Sequence, residues 1–411
     1  MPGPVERSVD TLVVGAGPAG TAAATILARA GRPVLVVDKA TFPRDKCCGD
    51  GLTTLALREL DQLGFDPGTV PSWQSVSSAW LRSPRGRLFE VPLPTDGQFA
   101  AVAPRLDLDA ALLDLARSEG AEIREGCSVT GVVRGADHVD VDIEGLGRVR
   151  ARTVIAADGM WSAVRKATGL GIEGYRGEWH AFRQYFSGVT GTAATELIVW
   201  FEEDLLPGYA WSFPLPGGRA NVGFGVLRSD GRRTRDMAAL WRDLLTRPHV
   251  VEALGPAAEP EGRHTAWPIP ARVDSIELAT PGVLFVGDAA AATDVLTGEG
   301  IGQALLTGRL AAESVLAGGD SRTVADRYRR EVRADLVADH AMSRRLGRVL
   351  GSRRGAETAL RIVAASGGWG RRNFARWMFE DEPRAIALSP SRWHRDMFGR
   401  RGAFIASGHR P

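Results

Sequence analysis

Six residues, Gly15-Ala-Gly-Pro-Ala-Gly20, constrain this 411-residue chain more than any others. An apolar run, Thr11-Leu-Val-Val14, precedes them. A run rich in helix formers, Thr21 to Ala30, follows and stops at Gly31, a natural C-cap. Arg32-Pro33 then leads into Val34-Leu-Val-Val37 and Asp38-Lys39. The order strand, glycine turn, helix, strand, acid predicts a dinucleotide-binding βαβ unit. Gly15 permits the tight turn, Gly17 admits a pyrophosphate to the helix N-terminus beside Pro18 and Ala19, and Gly20 lets the helix pack closely on the strand. Asp38 lies at the expected spacing of roughly 20 residues, placed to accept from a ribose hydroxyl pair, with Lys39 beside it. An acid there disfavours the 2′-phosphate of NADP. The turn alone does not separate FAD from NAD.

Two further strand ends carry aspartates. Arg152 to Ala157 reads as a strand ending in Asp158-Gly159, with a helical segment from Ser162 to Thr168. Gly282 to Val286 reads as another, ending in Gly287-Asp288. Thr297-Gly-Glu-Gly-Ile301 then opens a helix running from about Gly302 to Leu316. Ligands of parallel sheets bind beyond the carboxyl ends of the strands. That places Asp288 against a sugar-like chain such as ribityl, and Gly298, Gly300 and Ile301 near an electron-rich ring edge or anion.

Between these landmarks the pattern changes. Ala181–Phe186, Thr195–Phe201 and Tyr209–Phe213 are rich in aromatic and β-branched residues, and Asn221–Val226 returns after the turn Pro216-Gly-Gly-Arg219. This predicts an antiparallel sheet, with an amphipathic helix over Thr234 to Arg247. The expected organisation is α/β: a Rossmann-like dinucleotide-binding domain over residues 1–175 and 265–330, interrupted by an antiparallel-sheet substrate domain over 176–264, with a helical C-terminal cap over 331–411. Tyr209, Trp211 and Phe213 alternate and so share one face of their strand, as sandwich core or as the wall of an apolar cavity. Arg105 precedes a helix expected over Leu108 to Ser118. Beyond Gly351, Trp369, Phe374, Trp377, Met378, Phe379, Trp393, Met397 and Phe398 are interleaved with arginines, a pattern for a cap, a lipid-surface contact or a partner site.

Composition narrows the function classes. Hydrophobic residues make up 44% and charged residues 24%, and the formal net charge is +2, which argues against a nucleic-acid binder. The three cysteines, at 47, 48 and 127, lack the spacing of a metal site and suit a reducing cytoplasm. No stretch of about 18 apolar residues predicts a spanning helix, and no signal peptide is visible in Met1 to Asp10. Peripheral membrane contact remains open to such a chain. No acid or base stands out as a proton donor.

The order Gly15–Gly20, Asp158-Gly159, Gly287-Asp288 resembles that of single-dinucleotide flavoproteins. Phe42-Pro-Arg-Asp-Lys-Cys-Cys-Gly-Asp-Gly-Leu52, with Cys48-Gly49-Asp50-Gly51 as its core, and Pro207-Gly-Tyr-Ala-Trp-Ser-Phe-Pro214 resemble the geranylgeranyl reductase family, as do Gly287–Ala290 and Thr297–Ile301. The resemblance spans about residues 10 to 330. It implies bound FAD contacted by Arg105, which read alone is a solvated arginine of a helix's first turn, and Tyr209, Trp211 and Phe213 facing a large hydrophobic substrate. Cys48 reads by default as a buried thiol, with a thiol near the flavin (a weak catalytic candidate) and one half of a Cys47–Cys48 vicinal pair as the alternatives. The resemblance implies reduction of a C=C bond in an isoprenoid, quinone or polyketide-like molecule. An oxygen-using flavin monooxygenase is the alternative, and a non-redox FAD-binding protein or cyclase is a third. No second GxGxxG is present, so NAD(P)H docking transiently or a partner reductase is the expected electron donor. One departure stands out: Asp294-Val295 occupies the place of the family's usual Asn-Pro or Asp-Pro.

Overall fold

The structure, a computed structural model, describes residues 5–228, 234–386, 393–397 and 399–405. Phe398 and parts of the expected cap lie outside these. Strand β1, Val5–Val14, pairs in parallel with β2, Val34–Val37, on one side and with Gly147–Ala156 on the other. Val283–Phe285 and Glu122–Arg124 extend the parallel set outward. These strands are continuous apolar runs because both faces are covered. Leu12, Val36, Ile155 and Phe285 are fully buried. Helix α1, Pro18–Arg29, and the Ile301–Leu316 helix pack on one another. Their contact is close because Gly308 lies against the Ala19 backbone: a Cβ there would meet the Ala19 oxygen at 2.2 Å.

The register places four chain reversals side by side. Val14 is level with Val37 and with Ala156, and Ala156 is level with Phe285. Gly15, Asp38, Asp158 and Asp288 therefore emerge at one edge of the sheet.

A second sheet of seven strands runs in the order Glu259–Ile269, Trp179–Ser187, Arg219–Leu227, Tyr209–Leu215, Leu197–Trp200, Ser78–Arg82, Leu88–Pro92. One face packs on the Thr234–Thr246 helix through Phe182, Trp200, Phe224, Met237, Trp241 and Leu244. The other faces the first sheet's ligand edge. Two of its strands come from residues 78–92, ahead of the Asp158-Gly159 landmark, and its last runs on to Ile269. After residue 320 the chain is helical: Ser321–Val332, Ala338–Leu350, Arg353–Ala365 and Gly367–Met378. The last described stretch returns to the body, where Ala403 and Gln98 exchange backbone hydrogen bonds of 2.9 Å. The architecture is thus a Rossmann-like sheet interrupted by a sheet that is antiparallel except where Leu197–Trp200 pairs in parallel with Ser78–Arg82, with helices closing the C-terminal side.

Candidate active site

A cavity of about 1300 Å³ runs between the two sheets, lined at one end by the glycine turn and at the other by aromatic rings and the C-terminal helices. Gly15 stands at φ +102°, and a Cβ there would meet the Ala157 oxygen at 2.3 Å; one on Gly20 would meet the Gly15 oxygen at 1.8 Å. Both glycines are demanded by packing. Gly17 differs, because the nearest atoms to a Cβ there are the guanidinium nitrogens of Arg44 at 3.7 Å and Arg105 at 3.9 Å. No side chain caps the N-terminus of α1 at Gly17, so its first-turn amides face the cavity between two cations. That arrangement fits a diphosphate anion.

Arg105 is the first residue of its helix, which spans Arg105–Ser118. It is buried, not solvated, and forks onto Asp109 at 2.6 and 2.7 Å. Arg44 reaches the same carboxylate at 2.8 Å. Asp38 turns both oxygens back on the chain, accepting from the Ala16 N–H at 2.7 Å and the Ala40 N–H at 2.8 Å. It braces the turn, and its remaining lone pairs are what it has to offer a ribose. Lys39 is exposed at the rim. Asp158 accepts from the Val164 N–H at 3.0 Å through Oδ2, while its buried Oδ1 has no partner among the described residues. Of the predicted positions, Gly15, Gly17, Pro18, Ala19, Asp38, Lys39, Arg105, Asp158, Asp288, Gly298, Gly300, Ile301, Tyr209, Trp211, Phe213 and Cys48 all line this one cavity. Gly20 does not; it sits beneath the turn.

The loop before the Ile301–Leu316 helix is shaped by Asp294, where the resembled family carries proline at the next position. Its Oδ1 accepts from the N–H groups of Leu296 and Thr297 and from the Thr297 hydroxyl, at 2.8–2.9 Å. Its Oδ2 accepts from Ser343 at 2.7 Å and from Arg384 at 3.2 Å. Within the loop Gly298 takes φ +71°. Glu299 lines the cavity, its Oε1 accepting from the Ile301 N–H at 2.9 Å. Burial and the nearby Glu380 carboxylate push its carboxyl up to about 8, so it holds a proton at neutral pH. Glu380 is itself pushed up to about 7 by burial.

Tyr209, Trp211 and Phe213 share one face, with successive ring centroids 6.0 Å apart. The Tyr209 hydroxyl donates to the Thr297 carbonyl, and Trp211 Nε1 donates to Asn221 Oδ1 at 3.1 Å. The Cys48–Gly51 loop lies on these rings: a Cβ on Gly51 would be 2.9 Å from Phe213, and one on Gly49 3.4 Å from Phe213 and Trp211. Asp50, at φ +64° and fully buried, anchors this loop. It accepts from the Tyr185 hydroxyl and from Asn221 Nδ2, each at 2.7 Å. Cys47 and Cys48 are both free thiols, half-buried. Burial and the Asp50 charge push Cys48 up to about 12, so it is a neutral thiol.

The expectation that no acid or base stands out does not survive the structure. Glu299 is in plain view within Thr297–Ile301, but its raised carboxyl depends on burial and on Glu380, which is far away in sequence. The roles of Arg44, Asp50 and Glu299 went unread for this reason: Asp109, Tyr185 with Asn221, and Glu380 come from distant segments. Among the described residues no cluster of His, Cys, Asp and Glu is fit to hold a metal, and no helix is long and apolar enough to cross a membrane.

Comparison with known proteins accords with this geometry. The FAD binding domain family matches residues 8–341. A menaquinone reductase of Mycolicibacterium smegmatis is 36% identical over 75% of this chain and 77% of its own. Digeranylgeranylglycerophospholipid reductase 2 of Methanopyrus kandleri is 34% identical over 74% and 76%. Among solved structures, a geranylgeranyl bacteriochlorophyll reductase-like protein of Thermoplasma acidophilum superposes with a TM-score of 0.78 at 23% identity, covering 94% of this chain and all of its own. The halogenase PltM in complex with phloroglucinol and FAD shares the fold, with a TM-score of 0.69 at 18% identity over 93% of this chain and 84% of its own. The chain belongs to the geranylgeranyl reductase family within the FAD-binding domain proteins, and it is an FAD-dependent oxidoreductase.

Proposed function

We propose that this oxidoreductase reduces carbon–carbon double bonds in a long isoprenoid chain carried by a quinone or lipid. The observation that carries the reading is the single cavity of about 1300 Å³, which joins an anion cradle at Gly17, Arg44 and Arg105 to the aromatic wall of Tyr209, Trp211 and Phe213. The names of the relatives, menaquinone reductase and digeranylgeranylglycerophospholipid reductase, support the same substrate class.

The residues that hold FAD in this reading are Gly15, Gly17, Pro18, Ala19, Asp38, Lys39, Arg105, Asp158, Asp288, Gly298, Gly300 and Ile301, with Arg44 added. Gly20 acts beneath them by closing the turn. FAD, when bound, supplies the redox chemistry, accepting and passing on electron pairs. The aromatic face supplies apolar area and shape, which is what an uncharged polyisoprenoid offers for recognition. Asp50, Asn221 and Tyr185 position the Cys48–Gly51 loop against those rings. Glu299 holds its proton at the cavity wall, with Oε1 occupied by the helix amides and Oε2 left to carry it, available to a carbon that has gained negative charge. In this reading residues 1–175 with 265–330 serve FAD and 176–264 serve substrate, with residues 78–92 and the end of the Glu259–Ile269 strand added to the substrate side. Reducing equivalents come from transiently docked NAD(P)H or a partner reductase, since no second dinucleotide turn is present in the sequence.

The test is product analysis. The FAD-loaded protein, reduced anaerobically and given menaquinone or a geranylgeranylated lipid, should yield product with H2 added per double bond by mass spectrometry. Product bearing an added oxygen, formed only in air, would instead establish a monooxygenase. Binding without conversion would establish a non-redox role.

A further inference from the structure

The three helices that close the cavity carry an outer face that the redox site does not use. Between His340 and Met378 the sequence has nine arginines and one acid, Glu357, so this stretch holds +8 in a chain whose net charge is +2. Glu357 is buried. Arg345, Arg348, Arg354, Arg361 and Arg372 are exposed and make no ion pair among the described residues. Among them stand three large apolar side chains open to solvent, one on each helix: Val349 at 56%, Ile362 at 65% and Trp369 at 64% exposure.

The spacing is that of an amphipathic surface. On Ala338–Leu350, Arg345, Arg348 and Val349 share one face, and on Arg353–Ala365, Arg354, Arg361 and Ile362 do. The opposite faces line the cavity through Leu346, Leu360 and Phe374. Ile362 belongs to both surfaces, so the cavity wall and the exposed patch meet at that residue.

We propose that the outer face of these helices docks on an anionic lipid bilayer. The arginines meet the headgroups, and Val349, Ile362 and Trp369 enter the acyl boundary. A charge of this sign and density beside apolar side chains fits an anionic bilayer, which is apolar beneath a negative surface. The proposal rests on the reading that the substrate is a membrane-soluble isoprenoid, since the patch adjoins the cavity that would receive it. It adds the route: the chain passes from bilayer to cavity beside Ile362.

Co-sedimentation of the FAD-loaded protein with vesicles tests this without substrate or turnover, so its outcome is independent of the reaction. Phosphatidylcholine vesicles with and without phosphatidylglycerol are the probes. Binding should require the anionic lipid and weaken with salt. The double variant Arg345→Gln/Arg361→Gln should weaken it at least roughly tenfold, and Trp369→Ser should weaken it at unchanged FAD content. Retained FAD certifies the fold of each variant. Equal binding of wild type and variants would overturn the proposal, as would no binding to anionic vesicles. Failure to bind vesicles, with variant-sensitive binding to polyglutamate instead, would overturn it in favour of an acidic protein partner.

Discussion

At the residue scale, the three glycines of the first turn differ in what a side chain would do. On Gly20 a Cβ collides with backbone at 1.8 Å, whereas on Gly17 it meets only the ends of Arg44 and Arg105, at 3.7 and 3.9 Å. Gly17→Val should therefore fold, by circular dichroism, yet purify without flavin absorbance. Gly20→Ala should lose stability before cofactor binding is even tested. Trp211 is buried on the aromatic wall, and Trp211→Ala should cost about 3–5 kcal/mol of stability. If the variant is folded and keeps its FAD, substrate conversion should fall; normal kinetics would mean the face is only core. Glu299 yields a pH prediction. Its carboxyl is raised from 4.5 to about 8, so the folded protein holds a proton that the unfolded chain releases. Its contribution to stability is thus present at acid pH and is lost as pH rises through about 8. Reductive turnover should fall over the same window, and Glu299→Gln should lower it roughly 100- to 10,000-fold. An unchanged rate and pH profile in that variant would remove Glu299 from the reaction.

At the element scale, the βαβ unit was legible because every part of it is local: turn, helix and acid fall within 24 residues, Gly15 to Asp38. The strand ends at Asp158 and Asp288 were legible for the same reason, as was the alternation of Tyr209, Trp211 and Phe213. The Asp294 loop was not. The sequence showed only a missing proline, while the structure shows the Asp294 carboxylate tying the loop to Ser343 and to Arg384, the latter 90 residues away. Asp294→Ala would leave the buried Arg384 guanidinium with Glu380 alone, at 3.1 Å, and would strip the Leu296 and Thr297 N–H groups of their acceptor; it should cost about 1–3 kcal/mol, read by denaturant unfolding. Asp294→Asn keeps an acceptor and should cost less. The strands of residues 78–92 were illegible because their place in the second sheet depends on pairing with Leu197–Trp200, a long-range parallel contact with no local signature.

At the scale of the whole molecule, two sheets and three helices enclose one cavity, so cofactor and substrate share walls that come from distant parts of the chain. Saturating FAD should stabilise the flavin-free protein by about 2.7 kcal/mol at a hundred times its dissociation constant, seen as a rise in Tm. The most direct measurement of the central claim is reoxidation after anaerobic photoreduction. Adding menaquinone or a geranylgeranylated lipid to the reduced, FAD-loaded protein in the strict absence of oxygen should restore the oxidised flavin spectrum, in proportion to the double bonds consumed. A flavin that stays reduced under those conditions, and is reoxidised only when oxygen is admitted, would contradict the account.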